Sequence, residues 1–184
     1  MLQPAARIAI QESAVFPTRL GWLAIAGTHG VLRDVRFGQA HRSLALAAIA
    51  ARGIVRLTED WQWLVERLTA YAAGEMDDFS DVRLDLAWAT PFARRVLNAC
   101  RQISYGQTQS YAGLAARAGS PRAARAVGNA MKANRCPLVV PCHRVVHAGG
   151  GIGGFSAPQG AAMKERLLHL ERQATLTLAL EPVV

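Results

Sequence analysis

Cysteine is scarce in this chain of 184 residues: there are three, Cys100, Cys136 and Cys142, all in the second half. An odd number without a C-x-x-C pair indicates neither a disulfide framework nor a zinc knuckle, so reduced thiols are expected. The five histidines, His29, His41, His143, His147 and His169, form no H-x-x-x-H pair on a plausible helix, and no metal is predicted. Long apolar runs are also missing. The longest fall far short of the ~18 to 20 residues that cross a bilayer, and the start MLQPAARIAIQESAVF has no basic n-region, apolar h-region or cleavage site. The expectation is a cytoplasmic protein with no membrane contact. Charged residues make up only 18% and hydrophobic ones 51%, which excludes a disordered tail and provides for a core.

Acidic residues are absent between Asp85 and Glu165, a stretch holding ten basic ones from Arg94 to Lys164. Residues 1–88 carry 9 basic and 10 acidic side chains, while residues 89–184 carry 12 and 3. A surface so biased neutralises phosphates and releases counterions, so a polyanion is the expected partner. The alternative, that a pI near 10.4 only keeps the chain soluble, does not account for the one-sidedness.

The length fits one to one and a half domains at ~100 to 200 residues each. The fold class expected is α/β (α+β): a small three-stranded sheet with helices in residues 1–88, then a mostly helical unit in residues 89–184. Leu20–Ala26 and Val31–Phe37 suit a hairpin joined at Thr28, His29 and Gly30. Helices are expected at Leu44–Arg52 and Thr58–Ala73, where Trp61, Leu64, Leu68 and Tyr71 recur at helical spacing, and a third strand at Val82–Trp88. The tryptophans and tyrosines here are expected in the core.

In the second half, Thr90 is placed to cap a helix with Pro91 at its first position, and Cys100 falls on the packed face. Ser110 caps a short helix from Tyr111 to Ala118 that Gly119 closes, and Ser120 and Pro121 open another running to Ala133. Two short helices joined by a Gly-Ser-Pro turn predict a helix-turn-helix. On the second, Ala124, Val127 and Met131 share one side, and Arg122, Arg125, Asn129 and Lys132 the other. Its small residues, Ala126 and Gly128 among them, let a nucleic-acid groove approach. A merely solvated, alanine-rich helix is the competing reading.

The sharpest segment is Cys136-Pro-Leu-Val-Val-Pro-Cys-His-Arg-Val-Val-His147. Val139 and Val140 predict a buried strand that Pro141 stops, placing Cys142 at its end. A cysteine between valine pairs is ordinarily a small core residue. Here His143 and Arg144 adjoin it, and such neighbours lower a thiol's pKa toward a nucleophilic thiolate. On an extended strand His143 would point away from Cys142, so a bend is required. Gly149, Gly151 and Gly154 match G-x-G-x-x-G, but Phe-Ser-Ala-Pro follows where a helix should begin, so dinucleotide binding is not expected.

Residues 90–171 resemble the O6-alkylguanine-DNA alkyltransferases, also called methylated-DNA-protein-cysteine methyltransferases. The resemblance rests on Pro141-Cys-His-Arg-Val145, with Ser110-Tyr111, Ala123-Ala-Arg-Ala-Val-Gly128, Asn134, Gly153-Gly-Phe-Ser156 and Lys164-Glu-Arg-Leu-Leu. It implies a cofactor-independent suicide repair protein that moves an alkyl group from O6-alkylguanine in double-stranded DNA to Cys142. It also implies that His143 takes the thiol proton through a water, Glu171 orients the imidazole, Tyr111 donates toward the base, and Asn134 braces the turns. Met131, Val145, Phe155 and Ser156 would form the base pocket, with the Ser156 amide contacting the guanine oxygen. Arg125 would fill the stack vacated by a flipped nucleotide, with the helix-turn-helix in the minor groove. Arg122, Ala126, Gly128, Lys132, Arg135 and Arg144 complete the expected DNA contacts, and a monomer is expected. Phe155 stands where many members have tyrosine, and the first half has no cysteine for the structural zinc of some relatives. The rival readings are a non-catalytic helix-turn-helix or alkyltransferase-like lesion-binding protein, and a Cys-His hydrolase.

Overall fold

The computed structural model describes residues 10–180. Strands β1 (Gln11–Thr18), β2 (Gly21–Thr28) and β3 (Val31–Gln39) form an antiparallel meander. His29 and Gly30 both take positive φ, 51° and 70°, as a two-residue hairpin turn requires. After α1 (Arg42–Ala50) the short β4 (Val55–Leu57) returns parallel to β1, so the sheet has four strands in the order β3-β2-β1-β4. Alternation along the strands separates two faces. Leu23, Ile25, Val35 and Phe37 join the main core with Trp61 and with Leu64, Leu68 and Tyr71 of α2 (Gln62–Ala73). Ala24 and Ala26 meet Ala45 and Ile49 of α1 on the other side.

The expected strand at Val82–Trp88 is not one. Only a bridge between Leu32 and Leu84 forms, because Asp85 Oδ1 accepts from the Ala87 amide at 2.8 Å and the Trp88 indole donates to the Asp85 carbonyl at 3.1 Å. Turn chemistry outweighs the alternation of side chains.

In the second half α3 (Pro91–Arg101) begins as expected, with the Thr90 hydroxyl accepting from the Ala93 amide at 3.2 Å. Ser110 ends the two-residue β5 (Gln109–Ser110) and caps α4 (Tyr111–Arg117) through the Gly113 amide at 3.0 Å. Gly119 follows at φ 74°. Helix α5 (Ala124–Lys132) starts later than expected, since Ser120, Pro121 and Arg122 are spent in a turn closed by the Ala123 amide on the Ser120 carbonyl. In place of a strand, Leu138 and Val139 form a turn closed by an isolated bridge between Pro137 and Val140, and Cys142–Arg144 make one turn of 3-10 helix. The chain then enters β6 (Val145–Val146), parallel to β5, and ends the described region in α6 (Ala161–Leu180). One apolar cluster runs from Leu64 and Tyr71 through Leu97 and Val127 to Cys142 and Leu167, so the two halves share a core. Among the described residues no helix is long and apolar enough to cross a membrane.

Candidate active site

The 3-10 turn supplies the bend that the sequence required. Cys142 begins it and His143 and Arg144 follow, all three buried. Asn134, just past α5, donates from Nδ2 to Cys142 Sγ at 3.2 Å and to the Val140 carbonyl at 2.9 Å, while its Oδ1 accepts from the Cys136 amide at 3.0 Å. One side chain thereby pins three points of the active-site turn.

Glu171 of α6 is the hub behind it. Its Oε1 accepts from Tyr71 Oη at 2.6 Å, from His143 Nε2 at 2.8 Å and from Arg144 Nη2 at 2.8 Å. Its Oε2 accepts from Arg144 Nε and from the Gly106 amide, each at 3.0 Å. Gly106 has φ 73°, and a Cβ there would lie 2.5 Å from Thr175 Oγ1, so this amide reaches Glu171 only from a glycine. Burial pushes the Glu171 carboxyl up, but the His143 and Arg144 partners outweigh it and hold the group well below the carboxylate range. An ionised carboxylate can only accept, so the proton on His143 sits on Nε2. His143 Nδ1 is therefore the bare nitrogen, buried and without a hydrogen-bond partner among the described residues. Burial lowers the His143 pKa against the pull of Glu171 and keeps the ring neutral at pH 7.

The Cys142 thiol departs from the sequence expectation. Its pKa is raised, because burial outweighs the Asn134 hydrogen bond and the Lys164 charge. The Arg144 charge, expected to help, is neutralised by Glu171. The resting group is a neutral thiol that requires a base.

Arg144 is also corrected as a DNA contact. It is 1% exposed, and its Nη1 donates to the Ile103 carbonyl at 2.6 Å, so no phosphate can reach it. Arg135 is half-buried, its guanidinium 4.7 Å from the centre of the Trp88 ring. Arg122, Arg125, Ala126 and Lys132 are exposed, with Arg122 in the turn before α5 and not on the helix. At Gly128 a Cβ would meet nothing within 4 Å, so this helix face is open.

Two clefts meet at Cys142. The larger, about 820 Å³, is lined by Tyr111, Arg125, Met131, His147, Phe155 and Ser156. The smaller, about 460 Å³, lies toward the sheet and includes Val35, Arg36, Phe37 and Asn134. Val145 lines neither; its side chain is buried and its carbonyl accepts from Lys164 Nζ at 2.6 Å. Phe155 packs edge-on against Phe37, with centroids 6.0 Å apart, and the Ser156 hydroxyl donates to the Lys132 carbonyl at 3.3 Å. Together these contacts tie the loop after the glycines to both halves.

Residues 91–173 match the family model of the DNA binding domain of 6-O-methylguanine DNA methyltransferase. Over 163 residues the chain is 40% identical to the methylated-DNA–protein-cysteine methyltransferase of Mycolicibacterium paratuberculosis, covering 86% of this chain and 93% of that one. The chain belongs to the methylated-DNA–protein-cysteine methyltransferase family. A member from Methanosarcina acetivorans is 35% identical over 158 residues, covering 86% of this chain and 96% of the relative. The crystal structure of Mycobacterium tuberculosis OGT in complex with DNA superposes with a TM-score of 0.74 at 35% identity, over 91% of this chain and 98% of that one.

In this methyltransferase the fold brings together Cys142, His143, Asn134 and Glu171, and places Tyr111 with Met131 in the larger cleft. Three residues at the site carried no assigned role in the sequence. Lys164 is fully buried, with Nζ 5.8 Å from the centre of the Tyr111 ring. His147 stands 5.1 Å from that ring. Tyr71 comes from the other half. The block of basic residues free of acidic ones marked Lys164 as a basic residue, but nothing in the pattern indicated burial.

Proposed function

We propose that the protein repairs O6-alkylguanine in double-stranded DNA by moving the alkyl group to Cys142 Sγ, once per molecule and as a monomer. The thiol proton passes to His143 Nδ1 through a bridging water, and the sulfur attacks the alkyl carbon opposite the guanine oxygen. A carbon–sulfur bond forms as the carbon–oxygen bond breaks, and the electron pair leaves with the base. Tyr111 donates toward the base as that charge develops, with the Ser156 amide near the oxygen. Guanine takes its proton from Tyr111, and the proton received by His143 returns through solvent to the phenol, so one proton moves overall from sulfur to base. The thioether is not displaced by water, so there is no second turnover.

The target atom lies inside a duplex, so the nucleotide swings out at a cost of a few kcal/mol, reduced for a mispaired base. Helix α5 lies in the minor groove, Arg125 fills the gap, and Arg122 and Lys132 hold the backbone, with Met131 and Phe155 against the extruded base. The reading rests on one juxtaposition: a buried thiol on the wall of a cleft beside an exposed basic helix, with a neutral histidine behind it held by a carboxylate.

Intact mass after incubation with a duplex containing O6-methylguanine tests it. The expected gain is about 14 Da, one methylene, on the peptide carrying Cys142 and absent from Cys142→Ala, as a covalent nucleophile requires. Transfer by Cys142→Ala overturns the assignment, and binding without a mass change favours a lesion-binding protein.

A further inference from the structure

Tyr71 belongs to α2, in the half of the chain without the reactive segment, yet its side chain ends in the relay. It is fully buried, and its Oη lies 2.6 Å from Glu171 Oε1 and 3.3 Å from His143 Nε2. The tyrosine has one proton, and the ionised carboxylate can only accept, so that proton goes to Glu171. Its lone pairs are left for His143, and the Nε2 proton is shared between carboxylate and phenol. We infer that Tyr71 is a positioning residue for alkyl transfer: its hydroxyl holds Glu171 in place and tempers the carboxylate that orients His143 with Nδ1 as the base. The inference rests on the reading above that His143 takes the thiol proton.

The surroundings allow Tyr71 no other task. Its ring meets Phe79 and Tyr105 with centroids 5.5 and 5.8 Å away, so the hydroxyl is the only polar atom of a side chain packed in the core. Burial and the Glu171 charge raise its pKa well above the ordinary value, so it stays a donor through the working range. The ionisable groups around His143 are Glu171 and Lys164 from α6, Arg144 and Cys142 from its own turn, and Tyr71 from α2. Among these Tyr71 alone can both donate to the carboxylate and accept from the imidazole. Its removal leaves Glu171 a stronger and less firmly placed acceptor for His143, which raises the His143 pKa.

The test uses Tyr71→Phe in the full chain, which keeps the buried ring. The rate of alkyl transfer falls roughly tenfold, less than the 10²–10⁴ that a general base supplies because the base itself stays in place, and the acid limb of its pH profile moves to higher pH while DNA affinity is unchanged. A purely structural role would not move that limb. In the double variant with Glu171→Gln, loss of the hydroxyl adds no further slowing, since Tyr71 acts through Glu171. Nitrogen NMR of ¹⁵N-histidine-labelled protein places the His143 proton on Nε2 in the wild type at neutral pH and shows the ring of the variant becoming imidazolium at higher pH than in the wild type. A wild-type rate and pH profile in Tyr71→Phe overturns the inference, as does a wild-type His143 protonated on Nδ1. If wild-type Cys142 gains no alkyl group, the functional reading fails, and the NMR result still decides the tautomer without needing activity.

Discussion

At Cys142 burial and hydrogen bonding oppose each other. Burial keeps the proton on sulfur, while the Asn134 amide favours the thiolate that forms during attack. A hydrogen bond to a charged group contributes about 1.5–3 kcal/mol, so Asn134→Ala should slow transfer by about one to two orders of magnitude. The loss should shrink as pH rises and the thiol ionises without help, and the rate of label transfer against pH measures this. A second prediction separates arginines that sequence composition treats alike. Arg144 is the counter-charge of a buried carboxylate, and Arg144→Ala leaves Glu171 buried with one partner fewer, at a cost of about 3–5 kcal/mol. Arg125 is exposed, and Arg125→Ala should change stability by no more than about 0.5 kcal/mol. Urea unfolding of the two variants checks the contrast.

Helix α5 separates a packed side from a basic one. Its buried side is Val127, Ala130 and Met131, and its outer side presents Arg125 and Lys132 at a spacing of seven, two helical turns. A lysine held on a phosphate contributes through counterion release, so Lys132→Ala should weaken binding to lesion-bearing and undamaged duplexes alike. It should also reduce the slope of log affinity against log salt by about 1. Arg125→Ala, if Arg125 fills the vacated stack, should weaken lesion binding more than undamaged binding. Salt titrations on both duplexes distinguish the two.

How much of each element was readable from residues follows from what fixes it. The caps at Thr90 and Ser110 and the His29-Gly30 turn are local devices, and they stand where the sequence places them. Strand β1 was not visible because Gln11 and Ser13 are buried polar residues, with the Ser13 hydroxyl donating to the Arg56 carbonyl on β4. Strand β4, at three residues, gives no periodic signal. Helical spacing put Tyr71 in the core correctly, but spacing gives only the face. A phenol reaching a carboxylate 100 residues away leaves no local trace. Glu171 was reachable only through family resemblance, since α6 has nothing in its own sequence to distinguish it from Glu165.

For the whole molecule, the shared core and the Tyr71–Glu171 bond predict that the halves unfold together even though they differ in architecture and charge. The sequence supplies separate probes. All four tryptophans, Trp22, Trp61, Trp63 and Trp88, lie in the first half, while four of the six α-helices of the described residues lie in the second. Tryptophan fluorescence and helical circular dichroism should therefore give one coincident thermal transition; two separated transitions would show that the halves are independent. Acid should move that transition in a defined direction. The folded protein holds the His143 pKa below the ordinary value of about 6.5, so beneath that pH the unfolded chain takes a proton that the folded one refuses, and stability falls. Glu171, with its folded value depressed, contributes fully above about 4.5 and loses that contribution as pH drops further. The midpoint should decline below about pH 6.5 and more steeply below about 4.5. In Glu171→Gln the steeper limb should flatten, because the carboxylate whose protonation drives it is gone. Both probes should report that change together, since the bond from Tyr71 to Glu171 crosses the boundary between the halves.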